Sequence, residues 1–241
     1  MNVWIDVGAS LIALTVLEIV LGIDNLVFLL ILSQRLPEHQ RKRARQMGLS
    51  LAWIARLILL ACAVWIAKLK TPILTLWGHC FSWRDLLFVI GGLFLLGKST
   101  QEIHHELDLD AHDHAESVKR RQFLLVIIQI VFLDIVFSLD SVLTAIGLTS
   151  RFWLMVVAIS ISVLAMLFAS EPLNRFIERH PTIKMVALSF LVLIGVVLVA
   201  DGFHFYIPRA YIYFALGFSL FIESLNLFRK KTIMRRLIRR I

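Results

Sequence analysis

Residues 17–28 read LEIVLGIDNLVF, and residues 133–144 repeat the pattern as LDIVFSLDSVLT. Aligned without a gap, the two copies lie 116 positions apart. The alignment pairs Glu18 with Asp134, Gly22 with Ser138, Asp24 with Asp140, and Asn25 with Ser141. Each copy lies in an apolar segment long enough to cross a bilayer, where an ionised side chain at the centre costs about 2.5–3.5 kcal/mol. Four acids at such depth indicate a functional site.

The composition is that of a polytopic membrane protein. Hydrophobic residues make up 59% of the 241 residues, and the mean hydropathy is +0.82, whereas soluble domains are about 45–50% apolar. The net charge of +8 comes from basic residues clustered between apolar segments, as membrane orientation requires, so it does not indicate a nucleic-acid partner. The two cysteines have no metal-ligand spacing. The lipid bilayer is therefore the expected environment.

Runs of about 20 apolar residues predict seven transmembrane helices. They cover residues 7–33, 47–67, 85–100, 122–147, 152–170, 185–203 and 208–228. Lys and Arg in alternate connecting segments number 19 on one side of the membrane and 5 on the other. This bias predicts that the amino terminus lies outside and the carboxyl terminus lies in the cytoplasm. The amino-terminal segment lacks a basic region and carries Asp6, so a cleavable signal is not expected.

The repeated motif also predicts an internal duplication. The first copy belongs to the first span and the second copy to the fourth, so each unit holds three spans, and an odd number forces opposite insertion. A weaker echo relates residues 92–98 to residues 195–201. The predicted fold is an all-α polytopic membrane protein with seven transmembrane helices, built as two inverted three-helix repeats plus one extra C-terminal helix. Its parts are a first repeat (1–104), a His/Asp-rich cytoplasmic linker (105–121), an inverted repeat (122–204), and a seventh helix with a basic tail (205–241).

The polar residues of the two motifs form the candidate metal site. On a regular helix, residues seven apart share a face, so Glu18 faces the same way as Asn25, whereas Asp24 points about 100° away. Local unwinding at Gly22 is expected to turn both acids toward one cavity. The candidate ligands all offer oxygen, and they are Glu18, Asp24, Asn25, Asp134, Ser138, Asp140 and Ser141. Such ligands suit manganese, calcium or magnesium rather than copper or zinc. The alternative is that these groups only hold helices together by hydrogen bonds.

Three other features have two interpretations each. Arg56, the basic residue in mid-span, either neutralises a site acid or extends its charged head to the interface, and the second is favoured. Glu223 and Asn226 on the seventh span either serve the site or face a polar seam, and the seam is favoured. The tract 104–114 contains four histidines and several acids, which either gather metal or keep the loop solvated.

The motif residues resemble the TerC family of integral membrane proteins, whose two signatures end in Asp-Asn and Asp-Ser. Here these signatures read EIVLGIDN at residues 18–25 and DIVFSLDS at residues 134–141. The match looks closest to the YgdQ-like branch and extends to residues 178–181 and 211–226. The resemblance implies a seven-span fold, a bacterial plasma membrane (the inner membrane of a Gram-negative cell), and a role in metal-ion homeostasis, with manganese export the activity associated with relatives.

The expected function is therefore secondary export of a hard divalent cation, with Mn²⁺ favoured, driven by exchange for protons. No nucleotide-binding motif is present in the sequence, so an ion gradient must supply the energy. Because four crowded acids cannot all stay ionised without metal, the shared proton is assigned to Glu18 with Asp134, and metal affinity should rise with pH. The alternative function is a membrane partner that supplies metal to exported proteins or to the translocation machinery. No enzymatic activity and no prosthetic group are expected, and a homo-oligomer is compatible with the sequence.

Overall fold

The computed structural model describes residues 2–62, 72–76, 79–107, 121–148 and 151–238. In these residues seven helices and one pair of strands follow each other along the chain. The helices are α1 (Asn2–Ser33), α2 (Glu38–Ala61), α3 (Trp83–Leu107), α4 (Arg121–Leu148), α5 (Phe152–Arg179), α6 (Pro181–Gly202) and α7 (Arg209–Ile238). The strands are β1 (Pro72–Leu76) and β2 (His79–Ser82), which lie between α2 and α3.

Six of the described helices, α1 to α6, are long and apolar enough to cross a membrane. This agrees with the predicted polytopic helical fold, because a helix satisfies all its backbone hydrogen bonds internally in the absence of water. The seventh helix, α7, carries a shorter apolar run, Ala210–Asn226. Its role as a membrane span therefore remains a prediction.

The helices extend beyond the predicted spans at the end of the molecule that is rich in basic residues. The segment 35–45 was expected to be a connecting loop, but α2 already begins at Glu38 and contains Arg41 and Arg45. Likewise α5 continues through Glu171 and Pro172 to Arg179, although the span was expected to end at residue 170. Hydropathy predicts only the apolar part of a helix. The helix itself extends into polar surroundings, where its backbone hydrogen bonds still form.

The hairpin formed by β1 and β2 departs from the all-helical prediction. The two strands pair antiparallel, with Thr75 opposite Cys80 and Leu76 opposite His79. The segment PILTLWGHCFS contains β-branched and aromatic residues near a glycine, a composition that favours a short hairpin. A search for runs of 20 apolar residues cannot detect strands of this length.

The closest packing in the bundle is between α3 and α6, and α1 packs mainly on α5 while α2 packs mainly on α4. At the crossing of α3 and α6 a glycine of each helix contacts the backbone of the other. A Cβ atom on Gly92 would lie 2.8 Å from the carbonyl oxygen of Gly195, and one on Gly195 would lie 3.1 Å from that of Gly92. Small residues let membrane helices approach in this way.

Ion pairs between helices tie together the end of the bundle where α1, α3 and α5 finish and α2 and α6 begin. We call it the basic end. The pairs are Arg35 with Glu102, Arg41 with Glu178, Arg45 with Glu171, and Lys184 with Glu106. A side-chain hydrogen bond of 3.5 Å also joins Gln34 to Asn174. Polar side chains of different helices therefore contact each other at the basic end.

The opposite end, which we call the hairpin end, is held by Asp85 at the start of α3. Its Oδ2 accepts hydrogen bonds from the Ser82 backbone N–H at 2.8 Å and from the Ser82 hydroxyl at 2.6 Å. His204, just after α6, places Nε2 3.3 Å from the same oxygen. The rings of Phe81 and Phe203 meet edge to face at 5.9 Å. These contacts attach the hairpin to α3 and α6.

Candidate functional site

The two motif copies meet in the middle of the bundle, where α1 packs against α4. Glu18 lies near the centre of the apolar span of α1, and Asp134 lies at the centre of the span Gln122–Ile146 in α4. Their exposed fractions are 1% and 5%. Both acids are thus almost completely removed from solvent, at the depth where an unpaired charge is most costly.

Arg56 of α2 connects these two acids. Its Nη1 donates to Oε2 of Glu18 at 3.1 Å, its Nε donates to Oδ2 of Asp134 at 3.1 Å, and its Nη2 donates to Oδ1 of Asp134 at 2.6 Å. The guanidinium therefore binds Asp134 with two parallel hydrogen bonds, which is the strong bidentate arrangement of an arginine with a carboxylate. Arg56 is only 3% exposed, so the favoured expectation that it extends to the interface is wrong for this structure. It neutralises site acids instead.

Three further motif residues bond to this pair of acids. Asn25 Nδ2 donates to Oδ1 of Asp134 at 2.9 Å. The hydroxyl of Ser138 donates to the backbone carbonyl of Asp134 and also lies 3.2 Å from its Oδ2. Ser141 lies within hydrogen-bonding reach of Glu18 and bonds at 3.3 Å to the carbonyl of Ser138. The structure therefore brings together five of the seven candidate ligands, and Arg56 lies between them. We call these six residues the central cluster.

The central cluster holds unequal charges. Glu18 and Asp134 contribute two negative charges when ionised, and Arg56 contributes one positive charge, which leaves a surplus of one negative charge. Oε1 of Glu18 and Oδ1 of Asn25 are buried and have no hydrogen-bond partner among the described residues. Buried polar atoms are usually paired, so these two oxygens mark where a cation, a proton or a water would be accepted.

A small cavity adjoins the central cluster. Its volume is about 10 Å³, and its polar lining comes from Asn25, Arg56 and Asp134, with Leu29 and Met166 among the apolar residues. That is about the volume needed for one water molecule. A divalent cation that keeps several of its waters does not fit beside Arg56 in this arrangement.

The expected unwinding at Gly22 does not occur, because α1 is a continuous helix from Asn2 to Ser33. Gly22 instead allows a close approach of α5, since a Cβ atom there would lie 2.9 Å from the sulfur of Met166. As the regular helix requires, Asp24 then points away from Glu18.

Asp24 lies in a second cavity, of about 20 Å³, which it lines together with Asp201 and Tyr213. The exposed fraction of Asp24 is 7%. The apolar lining comes from Phe137, Ile194, Val197, Leu198 and Ile212. The motif acids are thus divided between two places. Sequence reasoning missed Asp201 as a neighbour of Asp24, although it ends the echo segment 195–201 and is an acid at the end of an apolar span.

The remaining candidate residues lie elsewhere. Asp140 lies on α4, and its side chain is outside the described part of the structure. Glu223 and Asn226 bond to each other at 3.5 Å on α7. Of the histidine tract, His104 and His105 are exposed on the last turn of α3, whereas residues 108–114 lie outside the described residues. Among the described residues, no group of three or more Asp, Glu, His or Cys side chains is arranged to hold a metal ion.

Comparison with known proteins supplies the relatives of this chain. Residues 5–237 match the model of the Integral membrane protein TerC family. The chain is 48% identical to a UPF0053 protein of Haemophilus influenzae, over 94% of this chain and 95% of that protein. It is 46% identical to the UPF0053 inner membrane protein YgdQ of Escherichia coli K12, over 95% of this chain and 94% of that protein. Identity is 48% to the UPF0053 inner membrane protein YoaE, of whose length the match covers 44%. No solved structure matches the chain.

Proposed function

The chain belongs to the TerC family of integral membrane proteins, and from its buried charged cluster we propose that it is a secondary transporter that exports a hard divalent cation. Mn²⁺ is the favoured cargo because the family resemblance implies manganese export. The motif residues offer only oxygen ligands, which suit Mn²⁺ as well as Ca²⁺ and Mg²⁺. The observation that carries the proposal is the pairing of Glu18, Asp134 and Arg56 at mid-membrane. Helices that needed only to adhere would do so with small residues and single hydrogen bonds, and would not bury three ionisable groups of unequal charge.

We propose further that the two motifs belong to inverted three-helix repeats, α1–α3 and α4–α6. In this scheme α1 corresponds to α4, α2 to α5, and α3 to α6. The packing supports it, because the contact of α1 with α5 then corresponds to the contact of α4 with α2, and the pair of α3 with α6 corresponds to itself. The crossing glycines behave in the same way, since Gly92 contacts Gly195 and Val199 while Gly195 contacts Gly92 and Leu96. The central cluster then lies at the interface of the repeats, where transporters of this architecture bind substrate. In this scheme α7 is the seventh span.

The distribution of basic residues supports an orientation in the membrane, with export as the proposed direction of transport. The excess of 19 basic residues over 5 assigns the basic end to the cytoplasm, and the names of the YgdQ and YoaE relatives support an inner-membrane location. Export of a divalent cation against an inside-negative potential costs about 4.6 kcal/mol per 100 mV, twice the cost for one charge. Two protons that move inward return the same electrical energy, so exchange for at least two protons would offset this cost.

Protons have a natural place in this mechanism. One proton would neutralise the surplus negative charge of the central cluster, and Glu18 and Asp134 are the acids that would share it. Binding of the metal requires ionised carboxylates and so releases this proton, while returning protons displace the metal. Asp24, which lines the second cavity, lies six residues after Glu18 on α1, and we propose that it and Asp140 are further ligands of the cation.

The test is transport by purified protein in sealed liposomes. We expect counterflow of Mn²⁺ that exceeds that of Ca²⁺, Mg²⁺ and Zn²⁺ and that is accelerated by an opposing proton gradient. Glu18→Gln/Asp134→Asn is the inactive control, since it preserves shape and removes both acids. If the protein is folded and binds Mn²⁺ but gives no metal-specific flux in liposomes, it is not a transporter. That result would favour the alternative of metal delivery to exported proteins.

A further inference from the structure

We propose that Arg56 is a tethered cation that occupies the cargo position between Glu18 and Asp134, and that the cargo binds there only when Arg56 withdraws. This inference rests on the proposed function and adds to it a device that limits metal affinity. It concerns one side chain that neither motif contains. Arg56 is 38 positions from Glu18 and 78 positions from Asp134 in the chain.

The geometry shows that Arg56 uses the oxygens that a metal would need. Both carboxylate oxygens of Asp134 accept hydrogen bonds from the guanidinium, at 2.6 and 3.1 Å, and one oxygen of Glu18 accepts a third at 3.1 Å. The cavity beside these groups measures about 10 Å³, which suffices for about one water. Arg56 and a divalent cation therefore compete for one space and one set of ligands.

The charges of the cluster also indicate that a divalent cation would replace Arg56 rather than bind beside it. Two carboxylates are neutralised fully by a divalent cation but only half by one guanidinium, so metal in place of Arg56 balances the cluster. Metal added beside Arg56 would bring two cations together in a medium of low dielectric constant, where like charges repel strongly. The negative surplus thus fits a site that binds a more highly charged ion, as does Oε1 of Glu18, which has no partner among the residues that the structure describes.

Withdrawal of Arg56 would follow its own helix. Arg56 lies five residues before Ala61, the last residue of α2 in the described part of the chain, which corresponds to about 7.5 Å along the helix axis. A long arginine side chain can keep its stem on apolar surface while the charged head moves toward water. The interface position and the paired position of Arg56 are then two states of the transport cycle, and return of Arg56 to the acids expels the metal.

The experiment measures Mn²⁺ binding to detergent-purified protein by titration calorimetry, together with thermal unfolding with and without Mn²⁺. For Arg56→Gln we expect Mn²⁺ affinity to rise by at least about fivefold, the lower end of ordinary coupling between competing ligands, and Mn²⁺ to raise the unfolding temperature more than in the parent. Arg45→Gln is the matched control, because Arg45 is also buried, at 4% exposure, and pairs with Glu171 at the basic end. It should lose stability without any gain in Mn²⁺ affinity.

Two additional variants keep the outcome decisive. Arg56→Lys retains the positive charge but cannot bind Asp134 with two parallel bonds, so its Mn²⁺ affinity should lie between those of the parent and Arg56→Gln. Addition of Asp134→Asn to Arg56→Gln should remove the gain. Unchanged or lower Mn²⁺ affinity in both Arg56 variants would overturn the inference, and would do so even if the parent transports Mn²⁺ in liposomes. If Arg56→Gln does not fold, the result for Arg56→Lys decides alone.

Discussion

At the scale of single residues, Arg56 determines what the motif acids can do. Without it, Glu18 and Asp134 would be two buried negative charges side by side, a state that costs several kcal/mol for each ion. With it, the acids are only partly neutralised, and one oxygen of Glu18 has no hydrogen-bond partner in the part of the chain that the structure describes. Apolar side chains of similar volume are often at least as stable as a buried ion pair. The presence of three buried charged groups therefore argues for ion handling rather than for stability.

We expect Asp24→Asn and Asp140→Asn each to abolish Mn²⁺ transport in liposomes while the protein remains folded. Each change removes a charged ligand but preserves its shape, and loss of an acid from the bilayer interior relieves an insertion cost. Thermal unfolding should accordingly occur at an unchanged or higher temperature. Asp6→Asn is the control, because Asp6 is exposed at the start of α1, and it should transport as the parent does. Full activity of both motif variants would refute a site that uses the paired motifs.

The sequence predicted much of the central cluster, since a separation of seven residues on a helix correctly groups Glu18 with Asn25 and Asp134 with Ser141. Spacing could not predict the partner of Arg56, because that partner lies on other helices and depends on how they pack. Gly22 was interpreted incorrectly for the same reason. A glycine beside an acid permits unwinding, but it equally permits a close neighbour, and here the neighbour is Met166.

At the scale of elements, the pair α3 and α6 has the most extensive contact between helices in the described part of the chain. The backbones of the two helices meet at Gly92 and Gly195, and neither position has space for a side chain. Hydropathy predicted both helices, and the echo between residues 92–98 and 195–201 predicted that they hold corresponding positions of a repeat. It did not show that these positions touch, because sequence similarity between two segments contains no information on their distance.

We expect Gly92→Ala to lower the thermal unfolding temperature of the detergent-purified protein. The added Cβ atom would lie 2.8 Å from a backbone oxygen of α6, so the helices must separate, at the cost of about 1–3 kcal/mol that overpacking usually incurs. Gly97→Ala, on the same helix, is the control, because a Cβ atom there meets nothing within 4 Å. Its unfolding temperature should be unchanged or slightly higher. Equal effects of the two substitutions would show that helix propensity, and not contact between α3 and α6, determines the change in unfolding temperature.

At the scale of the whole molecule, the two ends of the bundle are closed by different chemistry. Ion pairs dominate the basic end, and three of them join α1–α3 to α4–α6, namely Arg41 with Glu178, Arg45 with Glu171, and Lys184 with Glu106. A hairpin and the contacts around Asp85 close the other end. Metal that enters from the cytoplasm would have to pass the ion pairs, so we propose that they open and close during transport.

We expect Arg45→Glu to reduce both stability and transport, because it places two acids against each other at the basic end. The swap Arg45→Glu/Glu171→Arg should restore part of both, since it rebuilds the pair with its polarity reversed. The coupling between the two sites should be about 0.5–3 kcal/mol, as is usual for residues in contact. It is measured with a double-mutant cycle of thermal unfolding, beside Mn²⁺ flux in liposomes. A swap that is as impaired as the sum of its single variants would mean that the pair does not couple the units.

The last prediction concerns the response of the whole site to pH. Protons and Mn²⁺ compete for Glu18 and Asp134, because a carboxylate must be ionised to bind metal. Mn²⁺ affinity should therefore rise with pH, and the rise should become shallower in Glu18→Gln and in Asp134→Asn, each of which removes one competing proton site. The measurement is Mn²⁺ titration of detergent-purified protein between about pH 5.5 and 8.5, with Asp6→Asn as the control whose slope should match the parent. An affinity independent of pH in the parent would exclude proton exchange at the central cluster. An undiminished slope in both cluster variants would assign the proton to other acids, such as Asp24 and Asp201 in the second cavity.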